Sequence, residues 1–178
     1  GFEESLVHKS GGLQQPPDLP NPYTDPVLYH NGRREQTKGY CTDIYFDAAL
    51  RFIEANRRKP FFVYLPTNAP HTPLEVPARF EKPYRAKGLS ETTAKIYGMV
   101  ENIDENFGGL LHRLEQLGLR ENTLVIFLTD NGPQQERFTS GLRGRKTSTY
   151  EGGIHVPFFV QWPNGFPGKR SIDRLAAH

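Results

Sequence analysis

The sequence contains little of what cross-links a small protein or draws it to a charged or lipid surface. Its 178 residues include one cysteine, Cys41, which excludes an internal disulfide and a cysteine-rich metal site. The 22 basic residues nearly balance the 20 acidic ones, so the net charge of +2 gives no reason to expect binding to nucleic acid or to a membrane surface. No apolar run approaches the length of a transmembrane helix.

Glycine and proline are plentiful by contrast, with 17 and 15 copies, while hydrophobic residues make up only 36% of the chain. This composition predicts long ordered loops around a modest core, in a chain of the right length for one domain. Residues 1–40 show no clear periodicity and several prolines. We expect an irregular surface segment there, with one short hairpin around His30-Asn31-Gly32-Arg33.

Two helices can be predicted from their apolar spacing and their end signals. The first is expected to have Thr42 as its N-cap and to stop before Pro60. The second is expected to have Ser90 as its N-cap and to end at Gly118. Between them, residues 74–88 are predicted to form a loop because they contain two prolines.

Three short apolar runs predict buried strands, and their alternation with helices indicates an α/β fold with parallel neighbouring strands. The runs are Phe61–Leu65, Leu124–Leu128 and Val156–Trp162. The pair Gly108-Gly109 lowers the helix propensity of the second helix, so we expect it to allow a close approach to the sheet.

Polar residues that could carry chemistry follow the predicted strands. His71 follows the first run, Asp130-Asn131 follows the second, and Lys146 lies in the loop before the third. If the strands are parallel neighbours, these loops emerge at one edge of the sheet and form one site. Carboxylate and amide oxygens suit a hard cation such as Ca²⁺, and a cation with lysine and histidine suits phosphoryl or sulfuryl transfer.

Each of these features also has a plain structural explanation. Asp130-Asn131-Gly132 is ordinary turn chemistry, His71 could be a loop histidine bonded to the backbone, and Lys146 lies in a basic cluster of the kind that water usually solvates. Cys41 stands at a predicted helix start, which could lower the pKa of its thiol. It lacks a paired histidine, so we interpret it as structural.

The motifs together resemble the middle section of a type I, formylglycine-dependent sulfatase of the arylsulfatase A-like branch. The matching segments are Gly39–Asp43, Lys59–Leu65, Ala69–Pro73, Asn122–Pro133 and Leu142–Pro157. Their order and spacing fit the family over nearly the whole chain. The set is highly specific, although no single segment is decisive.

The resemblance implies a three-layer α/β/α fold of the alkaline-phosphatase type, with a mostly parallel sheet of which only part is present. It implies that Asp130 and Asn131 are calcium ligands and that His71 and Lys146 contact the sulfate ester. Family members use a formylglycine nucleophile made from a Cys/Ser-x-Pro/Ala-x-Arg motif. This sequence has no such motif, and it also lacks the two aspartates that complete the calcium site.

We therefore expect residues 1–178 to be the central part of one sulfatase domain that is inactive by itself. Within it we expect an irregular segment over 1–40, the α/β core portion over 41–163 and a truncated tail over 164–178. The resemblance implies a sulfated small molecule or carbohydrate as substrate, no nucleic-acid or membrane partner, and a periplasmic, secreted or lysosomal location. Oligomeric state cannot be read from the sequence.

Two other functions remain open from the residues. A phosphatase, phosphodiesterase or phosphonate hydrolase of the same superfamily would commonly use two zinc ions, for which histidine is a usual ligand. Asn131 stands where such a relative would often have histidine, which favours the oxygen-rich calcium site. The third possibility is a non-catalytic domain that keeps the fold without the chemistry.

Overall fold

The chain forms two compact units, which we call unit 1 (Gly1–Leu117) and unit 2 (Gly118–His178). A computed structural model describes residues 1–9, 11–135, 137–166 and 168–176. The last two residues of the predicted truncated tail, 177–178, lie outside the described residues. Within these ranges, no helix combines the length and the apolar content needed to cross a membrane.

Unit 1 begins with a three-stranded antiparallel sheet in the order β1-β2-β3. The strands are β1 (Leu6–Val7), β2 (Val27–His30) and β3 (Arg33–Gln36). Asn31 and Gly32 join β2 to β3 with φ angles of 50° and 80°. Two consecutive positive φ angles are the geometry of a tight hairpin turn that matches the twist of the strands. The hairpin predicted at this position is confirmed.

The segment 1–40 also supplies half of the buried core cluster, so the prediction that it lies at the surface is wrong. Leu13, Tyr23 and Leu28 are fully buried. They stand too far apart along the chain to show a helix or strand period, so pattern alone could not reveal their burial. The core cluster consists of Leu13, Tyr23, Leu28, Tyr40, Cys41, Tyr45, Ala69 and Met99.

The first helix, α1 (Cys41–Asn56), starts one residue before the position expected for its cap. Tyr40 is the N-cap and makes no side-chain capping bond. Thr42 therefore lies inside the first turn, where it is fully buried, and the prediction that it caps the helix is wrong. Burial of Tyr40, Cys41 and Thr42 fixes this helix start by packing, which replaces the capping bond that a hydroxyl would supply.

The predicted loop over residues 74–88 contains a helix, α2 (Ala78–Ala86), with Pro83 inside it. Packing against the next helix overrides the local proline signal, because Phe80 is 3% exposed and α2 lies on Gly98 of that helix. A methyl group added at Gly98 would lie 2.9 Å from the carbonyl carbon and oxygen of Phe80. Gly98 is thus the position where the two helix backbones approach closely.

The long helix, α3 (Glu91–Gln116), has the two ends predicted for it. The Ser90 hydroxyl accepts a bond of 3.2 Å from the backbone N–H of Thr93, and Gly118 follows the helix with a φ of 67°. The expected role of Gly108-Gly109 is wrong, because a methyl group at either position would meet nothing within 4 Å. That face of α3 is open among the described residues.

Unit 2 contains a 3₁₀ turn (Arg120–Asn122), β4 (Val125–Leu128), a short helix α4 (Glu151–Ile154) and β5 (Phe158–Gln161). β4 and β5 pair antiparallel, with Val125 opposite Gln161 and Leu128 opposite Phe158. The prediction that β4 is a buried strand is wrong, since Ile126 is 50% exposed.

The expectation of three neighbouring parallel strands is therefore wrong for the described residues, whose strand pairs are all antiparallel. The predicted strand Phe61–Leu65 does not form here, and Phe62 and Tyr64 are 73% and 68% exposed. An apolar run indicates a tendency to form a strand. The neighbour that a strand pairs with depends on the rest of the sheet.

Candidate functional site

The residues predicted to carry chemistry are divided between the two units. His71 belongs to unit 1, whereas Asp130, Asn131 and Lys146 belong to unit 2. The convergence of all three loops at one sheet edge stays a prediction. Within unit 2, the structure does bring together the turn that carries Asp130-Asn131 and the loop that carries Lys146.

Backbone hydrogen bonds link this turn and this loop. Gly132, directly after Asn131, donates its N–H to the carbonyl of Gly153 at 2.9 Å. Lys146 donates its N–H to the carbonyl of Pro133 at 3.0 Å, and Thr129 donates to the carbonyl of Pro157 at 3.3 Å. The turn after β4 is thus bonded to the segment 146–157 at three points, and the polar side chains of both parts lie in one region of unit 2.

Glycine is required where the two backbones meet. A methyl group at Gly132 would lie 1.9 Å from the carbonyl oxygen of Gly152, a separation that no side chain can occupy. Gly152 and Gly153 are buried, and a methyl group at Gly152 would lie 2.2 Å from the carbonyl oxygen of Gly144. The loop therefore folds back on itself and on the turn through contacts that leave room only for hydrogen.

The side chains of this region combine the carboxylates of Asp130 and Glu151 with several cations. Asp130 is exposed, while Asn131 and Lys146 are half-buried. The guanidinium carbon of Arg143 lies 3.8 Å from the centroid of the Tyr150 ring, so this cation is stacked against an aromatic face. The positive charge of the loop favours an anionic ligand beside the Asp130-Asn131 turn.

The oxygen atoms of this turn are of the type that Ca²⁺ binds, but they are too few to complete its coordination shell. Asp130 offers a carboxylate and Asn131 an amide oxygen, and both are donors that Ca²⁺ accepts. Calcium takes about six to eight oxygen ligands, so two side chains from one turn leave most of the shell to other groups. Among the described residues, no group of three or more His, Cys, Asp or Glu side chains is placed to hold a metal ion.

The backbone of His71 is held by a chain of hydrogen bonds inside unit 1. The Tyr23 hydroxyl donates to the His71 carbonyl at 2.8 Å and accepts from the Asn68 carboxamide nitrogen. The Asn68 carboxamide oxygen in turn accepts from the backbone N–H of Leu13 at 3.2 Å. Burial above all raises the pKa of Tyr23, so its hydroxyl stays protonated and able to donate.

The imidazole ring of His71 is exposed at the surface of unit 1. Its Nδ1 lies 2.8 Å from the carbonyl oxygen of Thr72 and 3.0 Å from the carboxamide nitrogen of Gln15. The sequence analysis missed Gln15, Tyr23 and Asn68 as supports of this loop. Gln15 and Tyr23 stand 56 and 48 positions before His71, and no local pattern connects them to it.

Cys41 is not placed for chemistry. Its thiol is fully buried, and burial above all raises the pKa of the thiol to about 12. The possibility that the helix start lowers this pKa is therefore wrong. Cys41 packs in the core with Tyr23, Tyr40 and Tyr45, which supports its interpretation as a structural residue.

Comparison with known proteins gives one consistent result. The family model described as Sulfatase matches residues 3–178. The chain is 32% identical over 145 residues to the uncharacterized sulfatase YdeN of Escherichia coli (strain K12), covering 79% of this chain and 26% of that protein. It is 31% identical over 145 residues to the N-acetylgalactosamine-6-sulfatase of Canis lupus familiaris, covering 76% of this chain and 26% of that protein.

The chain is also similar in fold to a solved structure. The structure of Ps i-CgsB in complex with k-i-k-neocarrahexaose matches with a TM-score of 0.81 and 30% sequence identity. The match covers 94% of this chain and 41% of that protein. The chain spans about a quarter of the length of the two curated relatives described above.

Proposed function

Because the chain belongs to the sulfatase family, with part of that family's alkaline-phosphatase-like fold, we propose that its residues serve the hydrolysis of sulfate esters. One structural observation supports the proposal most directly. The backbone bonds Gly132 to Gly153 and Lys146 to Pro133 connect an oxygen-donor turn to a cationic loop. A sulfate group needs positive charge on its nonbridging oxygens, and such a pair of segments can supply it.

We assign the roles as follows. Lys146 contacts a nonbridging sulfate oxygen and lowers the cost of the charge that builds up there. His71 contacts the ester oxygen that leaves, where a proton is needed as the bond to sulfur breaks. Asp130 and Asn131 hold part of the shell of a cation, which we assign as calcium, and that cation when bound adds positive charge beside the sulfate.

The substrate class we propose is a sulfated carbohydrate. One relative is named for N-acetylgalactosamine 6-sulfate, and one similar structure holds an oligosaccharide, k-i-k-neocarrahexaose. These names describe those proteins, and they support the same class of substrate here. We also propose a periplasmic, secreted or lysosomal location, in line with the family resemblance.

The full-length gene product and its Lys146→Ala variant provide the test. Sulfate release from sulfated sugars and from 4-nitrocatechol sulfate should fall by about 10²–10³ in kcat/KM for the variant, the usual loss when one donor to a developing charge is removed. Lys169→Ala, at an exposed lysine of the same unit, is the matched control and should keep full activity. A full-length protein that holds two zinc ions and releases phosphate instead would overturn the proposal.

A further inference from the structure

An arginine and a tyrosine of the Lys146 loop form a cation–aromatic pair at the surface of unit 2. The guanidinium carbon of Arg143 lies 3.8 Å from the centroid of the Tyr150 ring, so the cation lies over the aromatic face. Arg143 is exposed, and Tyr150 is 49% exposed. A guanidinium group that rests on a ring keeps the N–H donors along its edge, and this planar fork can bind an oxyanion through two hydrogen bonds.

Backbone hydrogen bonds hold both members of the pair in place. The carbonyl of Arg143 accepts from the N–H of Gly152 at 2.7 Å, and the carbonyl of Tyr150 accepts from the N–H of Gly153 at 2.8 Å. The N–H of Tyr150 donates to the Ser148 hydroxyl at 3.1 Å. The pair is thus assembled in the protein without a ligand, which lowers the entropy that binding must cost.

Gly144 allows the close contact between the two side chains. Its φ of 89° lies in the left-handed region that glycine adopts without strain. A methyl group at Gly144 would lie only 2.8 Å from Cβ of Tyr150. The backbone next to Arg143 therefore packs directly on Tyr150, and this packing keeps the guanidinium group near the ring.

The charge of Arg143 is not neutralised by a neighbouring acid. In the part of unit 2 that the structure describes, no carboxylate forms an ion pair with Arg143, and Oε2 of Glu151 lies instead 3.6 Å from Nδ1 of His155. Lys146, which we propose contacts the reacting sulfate, follows three positions later in the same loop. A fixed cation without a counter-charge so close to Lys146 along the chain favours a second anionic group in the same ligand.

We propose that Arg143, supported by Tyr150, is a specificity-determining residue that binds a second oxyanion of the substrate, a sulfate or a carboxylate group. This inference rests on the proposed hydrolysis of sulfate esters, and it narrows the substrate class to carbohydrates that carry two or more anionic groups. The oxygen atoms of either group accept hydrogen bonds from the guanidinium edge. Because this second group does not react, Arg143 contributes equally to binding of the substrate and of the transition state.

The experiment uses the full-length gene product and three disaccharides that share one reacting sulfate ester. The first carries a second sulfate, the second a carboxylate, and the third neither group. The wild-type protein should show a higher kcat/KM for at least one of the two substrates with a second anion. In Arg143→Gln this preference should fall about tenfold through KM with little change in kcat, as expected when one contact to a charged group that does not react is lost.

The substrate series separates recognition from a structural role of Arg143. A fall in the preference for the disulfated substrate identifies sulfate as the second group, and a fall for the other anionic substrate identifies carboxylate. An equal loss of kcat/KM for all three substrates would show that Arg143 only supports the loop, and it would overturn the proposal. A wild-type protein without any preference for a second anion would overturn it as well.

Arg145→Gln is the matched control, because it removes the same charge from an exposed position of the same loop. An exposed cation that is not held in one position gains little from an ion pair, so this variant should change the preference by no more than about twofold. A similar fall in both variants would mean that the charge of the loop sets the preference, and the role assigned to Arg143 would then be wrong.

A titration of the 178-residue chain with sodium sulfate, followed by NMR at constant ionic strength, tests the site without turnover. The Nε–H signal of Arg143 should shift in a saturable way, and Tyr150→Leu should weaken the affinity by about two- to fivefold. A wild-type chain without this shift would overturn the proposal even if the variants do not fold. If the full-length protein hydrolyses no sulfate ester while the shift is present, the proposed function fails and the anion site remains. Hydrolysis with an unchanged preference in Arg143→Gln has the opposite meaning.

Discussion

Gly132 donates its backbone N–H to the carbonyl of Gly153 at 2.9 Å, which connects the end of β4 to the short helix 21 residues further along the chain. Beside this bond, the Gly132 backbone passes so close to Gly152 that no side chain fits between them. The position of the Asp130-Asn131 turn relative to the Lys146 loop therefore depends on backbone contacts, to which the candidate functional side chains need not contribute.

Gly132→Ala should disrupt this connection. The new methyl group would lie 1.9 Å from a backbone oxygen, which cannot move aside as a flexible side chain could. Overpacking of a fixed site costs typically about 1–3 kcal/mol. We expect a loss of that size in the free energy of unfolding, measured with urea, and faster amide hydrogen exchange at Lys146.

Gly109→Ala provides the contrast in a helix interior. A methyl group there meets nothing within 4 Å, and alanine favours a helix over glycine by about 1 kcal/mol. This variant should be more stable than the wild type by up to that amount. Equal effects of the two substitutions would contradict the close contact at Gly132.

Tyr23→Phe should destabilise the loop that carries His71. The hydroxyl it removes donates to the His71 carbonyl and accepts from Asn68, so both partners would lose a bond in a partly buried setting. An unsatisfied buried polar group costs about 1–3 kcal/mol, and urea unfolding should show a loss in that range. Tyr64→Phe, at a residue that is 68% exposed, should stay within about 0.5 kcal/mol of the wild type.

Local sequence signals predicted those features that local chemistry decides. The hairpin at Asn31-Gly32 needs two positive φ angles, the start of α3 needs the Ser90 hydroxyl, and its end needs Gly118. Each depends on one or two residues and their own backbone. The family resemblance, carried by segments of several residues, predicted the sulfatase match in the same way.

Features decided by distant neighbours could not be predicted. Phe61–Leu65 has the composition of a strand but forms none here, and β4 pairs antiparallel with β5 although its apolar run suggested a parallel neighbour. Gln15 reaches the His71 ring across 56 positions of sequence. Pairing and long-range side-chain contacts depend on tertiary packing, which periodicity does not encode.

Cys41 should react slowly with thiol reagents in the folded protein. Burial raises the pKa of its thiol from 9.0 to about 12, so at pH 8 the thiolate is roughly 10³-fold scarcer than for an ordinary cysteine. Alkylation by iodoacetamide should therefore be far slower in buffer than in urea, as mass spectrometry can follow. Equal rates in both would show that the thiol is accessible.

The raised pKa of the Cys41 thiol also makes the stability of the protein depend on pH. Because the folded-state value lies above the ordinary value of 9.0, the contribution of Cys41 is fully present below pH 9 and is lost as the pH rises toward 12. The free energy of unfolding should fall by about 1.4 kcal/mol per pH unit for this one proton. The fall should be shallower in Cys41→Ala, where this thiol no longer titrates.

Calcium should bind the 178-residue chain weakly. Asp130 and Asn131 are adjacent in one turn and can supply only a small part of a shell of about six to eight oxygens, so water must fill the rest. With a single carboxylate, the charge that attracts the ion is also low, and the cations of the Lys146 loop oppose its approach. Calorimetry should therefore show no binding tighter than about 10⁻³ M, the weak end of protein calcium sites.

The Asp130→Asn variant tests whether any weak heat of calcium binding comes from this turn. If the turn is the site, the remaining heat of binding should disappear in this variant, because an amide oxygen carries no net charge to hold the ion. Tight, stoichiometric binding to the wild-type chain would mean that ligands beyond Asp130 and Asn131 are already assembled within these 178 residues, and the partial site proposed here would then be wrong.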